Sequence, residues 1–284
     1  MLKFQPDRAL EIVAPKYGSA YRIGDHLLLT CKHLFGDNDN CKVRFRSPSN
    51  YTDKQDIDAR VIWKAPNNID IALVELPESI ETCNPVSFGV LPNANSGEKV
   101  KFEFLGWPQF LRYAEDNKKY ATGLHIEGII DVANRAPNHR LLLNIKDSPD
   151  IQPTDKQLEK LGENQSPWEG TSGAAIVCNG LVIGVQSRHP IRDRPTSLEA
   201  ESLARVYGNK EWCEILEKHD IDPEPKPIIS VNLNAHSYRN QAPSKPTYFV
   251  DRPEVSIELK KLLLSERTDN IGTLVISAIY GLGG

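Results

Sequence analysis

The sequence predicts an all-β fold, a barrel or a sandwich, on three observations. Between Ala20 and Val185 the apolar residues fall in short runs, each about the length of one strand. Several runs alternate strictly, as Lys42-Val-Arg-Phe-Arg46 and Lys99-Val-Lys-Phe-Glu-Phe104 do, which turns one face of a strand to a core and the other to water. The connections are rich in Asn, Asp, Pro and Gly and carry no helical period, so βαβ units are excluded.

Taken in order, Ala20–Ile23 and His26–Thr30 flank Gly24-Asp25 and read as a hairpin. Lys42–Arg46, Ala59–Trp63, Ile69–Leu76, Lys99–Phe104, Leu124–Ile130, Leu141–Ile145, Ala174–Cys178 and Leu181–Gln186 follow as strands, with loops at Gly36–Asn40 and Leu91–Gly97. After Arg188 the pattern changes. Ser197 precedes Leu198, Leu203, Ala204 and Val206, a helix with a serine cap that Gly208 ends. Asn209 caps a second helix with Trp212, Ile215 and Leu216 on one face. The proline-rich stretch Asp220–Ser244 reads as a linker. Asp251-Arg-Pro-Glu254 has capping-box spacing, and Val255, Leu259, Leu262 and Leu263 form a helical stripe behind it. Thr273–Ile279 then reads as a strand buried on both faces, leading into Gly281-Leu-Gly-Gly284.

The chain has 284 residues, 39% apolar and 25% charged, enough for one two-barrel domain with an appendage or for two domains. A net charge of −4 gives no electrostatic case for nucleic acid or a membrane surface. The apolar run Thr273–Ile279 is far shorter than the ~20 residues of a spanning helix. Asp7, Arg8 and Glu11 interrupt the N-terminus where a signal peptide is apolar. Five scattered cysteines, with no C-x-x-C pair, read as reduced thiols, and no Cys/His spacing suits a metal. A cytoplasmic protein without a membrane or nucleic-acid partner is expected.

One constellation carries chemistry. Ser172 lies in Gly170-Thr-Ser-Gly-Ala174, a turn of small residues before an apolar strand, in which the Gly170 and Ser172 N–H groups can point at one spot as an oxyanion hole. His33 closes an apolar strand at Thr30-Cys-Lys-His33. Asp70 lies within the apolar Ile69–Leu76, where a carboxylate is costly to bury unpaired and an imidazole N–H is a natural partner. The other histidines (His26, His125, His139, His189, His219 and His236) have no comparable setting and read as surface or core residues.

These blocks resemble the trypsin-like serine peptidases. Leu27-Leu-Leu-Thr-Cys-Lys-His33 is similar to the strand leading into that family's catalytic histidine, Asp70-Ile-Ala-Leu-Val-Glu-Leu76 to its aspartate block, and Gly170-Thr-Ser-Gly-Ala-Ala175 to its nucleophile turn. The order His, Asp, Ser is also the family's. The resemblance spans roughly residues 18 to 190 and implies two six-stranded antiparallel barrels, a triad of His33, Asp70 and Ser172, and no cofactor. Gly184-Val-Gln-Ser187 resembles the strand beside the substrate channel, and Ser187 is either the serine next to Asp70 or a plain strand serine. The family's specificity position falls on Ser166, so no preference for Lys or Arg is implied, while Arg188 and His189 on the channel wall suit an acidic or polar residue. Thr171 stands where secreted members keep the aspartate that pairs with a freed N-terminus. Activation by that ion pair is therefore not expected. The long polar stretch Asp147–Gln165 is a candidate for regulated ordering instead.

Tyr248-Phe-Val-Asp-Arg-Pro-Glu254 and Leu274–Gly284 resemble the start of a STAND (NB-ARC or NACHT-like) NTPase, with Gly281, Gly283 and Gly284 opening an incomplete phosphate-binding loop. ATP and magnesium are expected only in a longer chain, and so are oligomerisation and contacts with downstream NTPase and sensor domains. The domain expectation is a peptidase over 1–192, a helical extension over 193–220, a linker over 221–247 and the truncated start of the NTPase over 248–284. The functional expectation is an intracellular serine endopeptidase acting on protein substrates, the effector of a STAND NTPase in bacterial antiviral defence or cell death. A catalytically silent binding module and a housekeeping protease unrelated to an NTPase are the alternatives.

Overall fold

Alternation of side chains sets the sheets. The computed structural model describes residues 4–45, 56–77, 83–93, 98–115, 118–136, 140–145, 166–189 and 197–228. In a first barrel, β1 (Ala9–Ala14), β2 (Gly18–Arg22), β3 (Leu27–Thr30), β4 (Asn40–Arg44), β5 (Asp56–Lys64) and β6 (Ala72–Glu75) pair antiparallel in the order β1-β2-β3-β6-β5-β4, with β4 returning to β1. Ala59, Val61 and Trp63 of β5 turn inward to meet Leu10, Leu27 and Leu29 in one apolar cluster.

The chain then crosses through β7 (Gly89–Val90) to a second barrel. It contains β8 (Lys99–Gly106), a hairpin of β9 (Arg112–Glu115) and β10 (Lys118–Ala121) outside the barrel, and β11 (Leu124–Ala136), β12 (Arg140–Asn144), β13 (Ala175–Cys178), β14 (Leu181–Arg188) and β15 (Ser197–Ser202). The closed order is β11-β12-β15-β14-β13-β8. On β8, Val100, Phe102 and Phe104 are buried while Lys99 and Lys101 face water, the pattern the sequence predicts.

Two expectations are corrected, and one barrel strand goes unread in the sequence. The segment from Ser197 is not a helix: it is β15, which pairs with both β12 and β14 and closes the second barrel. Leu198 and Ala200 turn into the core, and burial on the sheet outweighs the helix propensity of Leu-Glu-Ala-Glu. The second barrel therefore runs past residue 192, to Ser202. The strand unread in the sequence is β1, which pairs with β2 and β4; its Glu11 is fully buried and paired with Arg112 at 2.7 Å and Arg44 at 3.5 Å. Finally, the first part of the expected linker is structural. Lys226–Pro227 forms β16 parallel to β7, and Ile221 and Ile228 are buried against the first and second core clusters respectively.

The helix α1 (Lys210–Lys218) forms as the sequence predicts. The Asn209 side chain accepts the Trp212 N–H at 3.0 Å. Trp212 is buried with its ring centroid 5.5 Å from Trp63 and 5.7 Å from Phe88. Among the described residues no helix is long and apolar enough to cross a membrane. Residues 229–284, with the capping box, the apolar run and Gly281, Gly283 and Gly284, lie outside the described residues, as do Asp147–Gln165, His139 and His236.

Candidate active site

His33 sits in the single 3-10 turn Lys32–Leu34 that follows β3, half-exposed at the rim of the first barrel. Asp70 lies just before β6 rather than inside a strand, at the end of the loop that leaves β5. Its carboxylate meets His33 twice. Oδ1 accepts the His33 backbone N–H at 2.8 Å, and Oδ2 lies 2.6 Å from Nδ1, where the ring N–H donates to it. Burial alone would raise the Asp70 pKa. The hydrogen bonds and charge of His33, helped by the charge of Arg188, outweigh it and hold the carboxyl below its ordinary range. Lys32 steadies the same loop, its ammonium donating to the Ala65 and Asn67 carbonyls at 2.8 Å each.

Ser172 belongs to the second barrel, in the turn that precedes β13, and that turn is docked on the first barrel. The Ser172 carbonyl accepts the Ser19 N–H at 2.7 Å, and the Ser19 hydroxyl donates to the Gly170 carbonyl at 2.7 Å. Thr30, three residues before His33, donates its hydroxyl to the Ser19 carbonyl at 2.6 Å. Only glycine fits beside this contact at position 173: φ is +94°, and a Cβ there would lie 2.0 Å from the Ser19 oxygen and 2.2 Å from the Thr30 hydroxyl. Ser19 and Thr30 were not legible in the sequence, since a buried hydroxyl in an apolar strand carries no local motif.

Gly170 also has a positive φ, +96°, with the Trp107 carbonyl where a Cβ would go. Among the described residues neither the Gly170 nor the Ser172 N–H has a protein acceptor, which leaves two donors of this turn free for an oxyanion. Thr171 is fully buried; its hydroxyl bonds the Trp168 carbonyl at 2.7 Å and lies 3.0 Å from the Gln186 amide oxygen. No hydrogen bond joins the Ser172 hydroxyl to His33 among the described residues, and in free sites such bonds are commonly long until substrate tightens them.

The expected pocket residues are only partly brought together. The Ser166 hydroxyl accepts the Trp168 N–H at 3.2 Å and so shapes its own turn. Ser187 is buried, with its hydroxyl donating to the Glu199 carbonyl at 3.5 Å, and among the described residues no hydrogen bond joins it to Asp70. Arg188 is exposed, and its charge reaches Asp70. His189 is half-buried, Nε2 has no hydrogen-bond partner among the described residues, and burial pushes its pKa below the ordinary range. Cys31 is fully buried beside this site; its thiol donates to the Gln186 carbonyl at 3.1 Å, and burial pushes its pKa well up, so it is no competing nucleophile.

Two clusters among the described residues have donor atoms within 4.8 Å of one another, Cys31-His33-Asp70 and Glu103-His125-Glu127. The first is the pair already described plus a buried thiol. The second lies on the outer face of β8 and β11, where His125 bridges to Glu103 at 3.3 Å and stacks on Phe4.

A family model described as Trypsin matches residues 13–209 and so includes His33, Asp70, Ser172 and β15. Among solved structures, HL collagenase aligns with a TM-score of 0.48 at 17% identity, over 76% of this chain and 94% of its own. The serine endoprotease from Yersinia pestis aligns at 0.47 and 16%, over 73% and 62%. The serine protease of human pathogenic astrovirus aligns at 0.45 and 13%, over 71% and 92%. No curated protein sequence matches this one significantly.

Proposed function

Since the chain belongs to the trypsin family of serine endopeptidases, we propose that it hydrolyses protein substrates with His33, Asp70 and Ser172 as its triad. The observation that carries this reading is the two-point contact of Asp70 with His33 on one barrel, beside which the Ser172 turn of the other barrel is docked. Bonding Nδ1–H to Asp70 leaves Nε2 as the basic nitrogen. That nitrogen takes the Ser172 Oγ proton as Oγ bonds to the scissile carbonyl carbon, and the carbonyl π electrons move to oxygen. The Gly170 and Ser172 N–H groups meet the oxyanion. Collapse of the tetrahedral species re-forms the carbonyl and breaks the C–N bond, and the amine leaves with the His33 proton. Water, deprotonated at the same Nε2, then releases the acyl group and restores Ser172.

Thr171 supports a turn that needs no newly freed N-terminus. Where an aspartate would require a cation, its hydroxyl is satisfied by neutral partners from Trp168 and Gln186. The wider role, a cytoplasmic effector governed by a STAND NTPase in bacterial defence or cell death, rests on the sequence resemblance of residues 248–284. Its test is the chain sequence beyond Gly284, where a Lys followed by Ser or Thr supports it and their lack removes it.

Ser172→Ala tests the triad. Peptidase activity should fall on the order of 10⁴-fold, and labelling by a fluorophosphonate probe should vanish, with far-UV dichroism unchanged. A wild-type chain that binds peptides yet neither turns over nor labels would instead be a binding module.

A further inference from the structure

The loop that presents Asp70 is held from the second barrel as well as the first. Glu201 on β15 is fully buried. One of its carboxylate oxygens pairs with Arg205, and the other lies 3.4 Å from the Asp70 N–H and 3.5 Å from the Arg140 Nε. Arg205 reaches on to the Asn68 side-chain oxygen at 2.9 Å. The residues at both ends of the Asn68–Asp70 segment are thus tied to one carboxylate, directly at Asp70 and through Arg205 at Asn68. Lys32 holds the same loop from the His33 side.

A buried carboxylate is costly, and packing alone would favour an apolar side chain at this position. A carboxylate here must do something that Leu could not. Here that is an acceptor for the Asp70 backbone and an anchor for the arginine that holds Asn68. We propose that Glu201 is a positioning residue: it fixes the Asp70 segment so that Oδ2 meets His33 Nδ1, coupling the geometry of the triad to closure of the second barrel. This rests on the triad assigned above. Glu201 touches no substrate; it acts through Asp70.

The test compares Glu201→Leu and Glu201→Gln with the wild type and with Ser172→Ala. The readouts are kcat, KM and the downfield proton resonance of the His33–Asp70 hydrogen bond. Glu201→Leu should lower kcat on the order of tenfold, the scale of one lost hydrogen bond, while KM stays within about twofold. The resonance should broaden or shift. Glu201→Gln keeps an oxygen for the Asp70 N–H and should recover most of the lost rate. If Glu201→Leu does not fold, Asn68→Ala loosens the exposed end of the same segment and should lower kcat about threefold with an altered resonance; an unchanged rate and resonance there count against the proposal. If Ser172→Ala keeps full activity, the triad itself falls. If Ser172→Ala is inactive but Glu201→Leu matches the wild type in kcat and resonance, the Glu201 proposal alone is overturned. A rate loss in Glu201→Leu with an unaltered resonance and no recovery in Glu201→Gln also overturns it.

Discussion

Asp70 concentrates the electrostatics of the site. Its folded pKa lies below the ordinary carboxyl value, so its ionised form binds its surroundings better folded than unfolded. The sign follows: the stabilisation it gives is complete above the unfolded pKa of about 3.9 and is lost as pH falls through the lower folded value. Asp70→Asn should therefore cost stability at neutral pH, and the gap from the wild type should close as urea titrations move below about pH 4. A gap that stays constant down to pH 2 would show that the His33 contact is not what depresses the carboxyl. The same carboxylate spaces the imidazole correctly, so the variant should also lose most activity at pH 7, even though one side chain oxygen still faces Nδ1.

At the scale of elements, α1 shows how a segment outside the barrels supports them. Trp212 fills the space between Trp63 of β5 and Phe88 of the crossing segment. Trp212→Ala should cost about 3–5 kcal/mol, read as a lower urea midpoint with unchanged slope. An effect below about 1 kcal/mol would mean the helix is peripheral. The elements that the sequence made legible are those whose partners are implicit in an alternating pattern. Lys99–Phe104 declares its inner face residue by residue, and Asn209 declares a helix start by its own side chain. The two barrel strands missed, β1 and β15, each carry a buried glutamate, which breaks the pattern unless the arginine that satisfies it is known. For Glu11 that arginine is about a hundred residues away in sequence, at Arg112. For Glu201 the partners are the local Arg205 and also Arg140, about sixty residues earlier in the chain. The proposed triad was legible because His33, Asp70 and Ser172 each sit in a short motif of their own. Ser19, which docks the nucleophile turn, was not, because its significance exists only after two distant strands meet.

The described residues form two closed barrels that share an apolar cluster, in which Ala175, Val177 and Val185 join Leu10 and Leu29, and closure of each barrel depends on a different stretch of chain. The first barrel holds every strand it needs by Glu75, and with them His33 and Asp70. The second lacks its seal until β15, some thirty residues beyond Ser172, has joined β12 and β14. Synthesis from the N-terminus therefore imposes a sequence in time. A nascent chain should carry His33 and Asp70 on a closed sheet before Ser172 has its turn, and Glu201, which meets the Asp70 N–H, arrives only with β15. Ribosome-stalled chains released from the tunnel as far as Cys178 should stay unlabelled by a fluorophosphonate probe, although they contain Ser172. Chains exposed past Val206 should label. Labelling of the shorter chains would mean that the turn is set by the first barrel alone. A peptidase made in this order would meet the ribosome only before its serine is set, with its own translation as the timer.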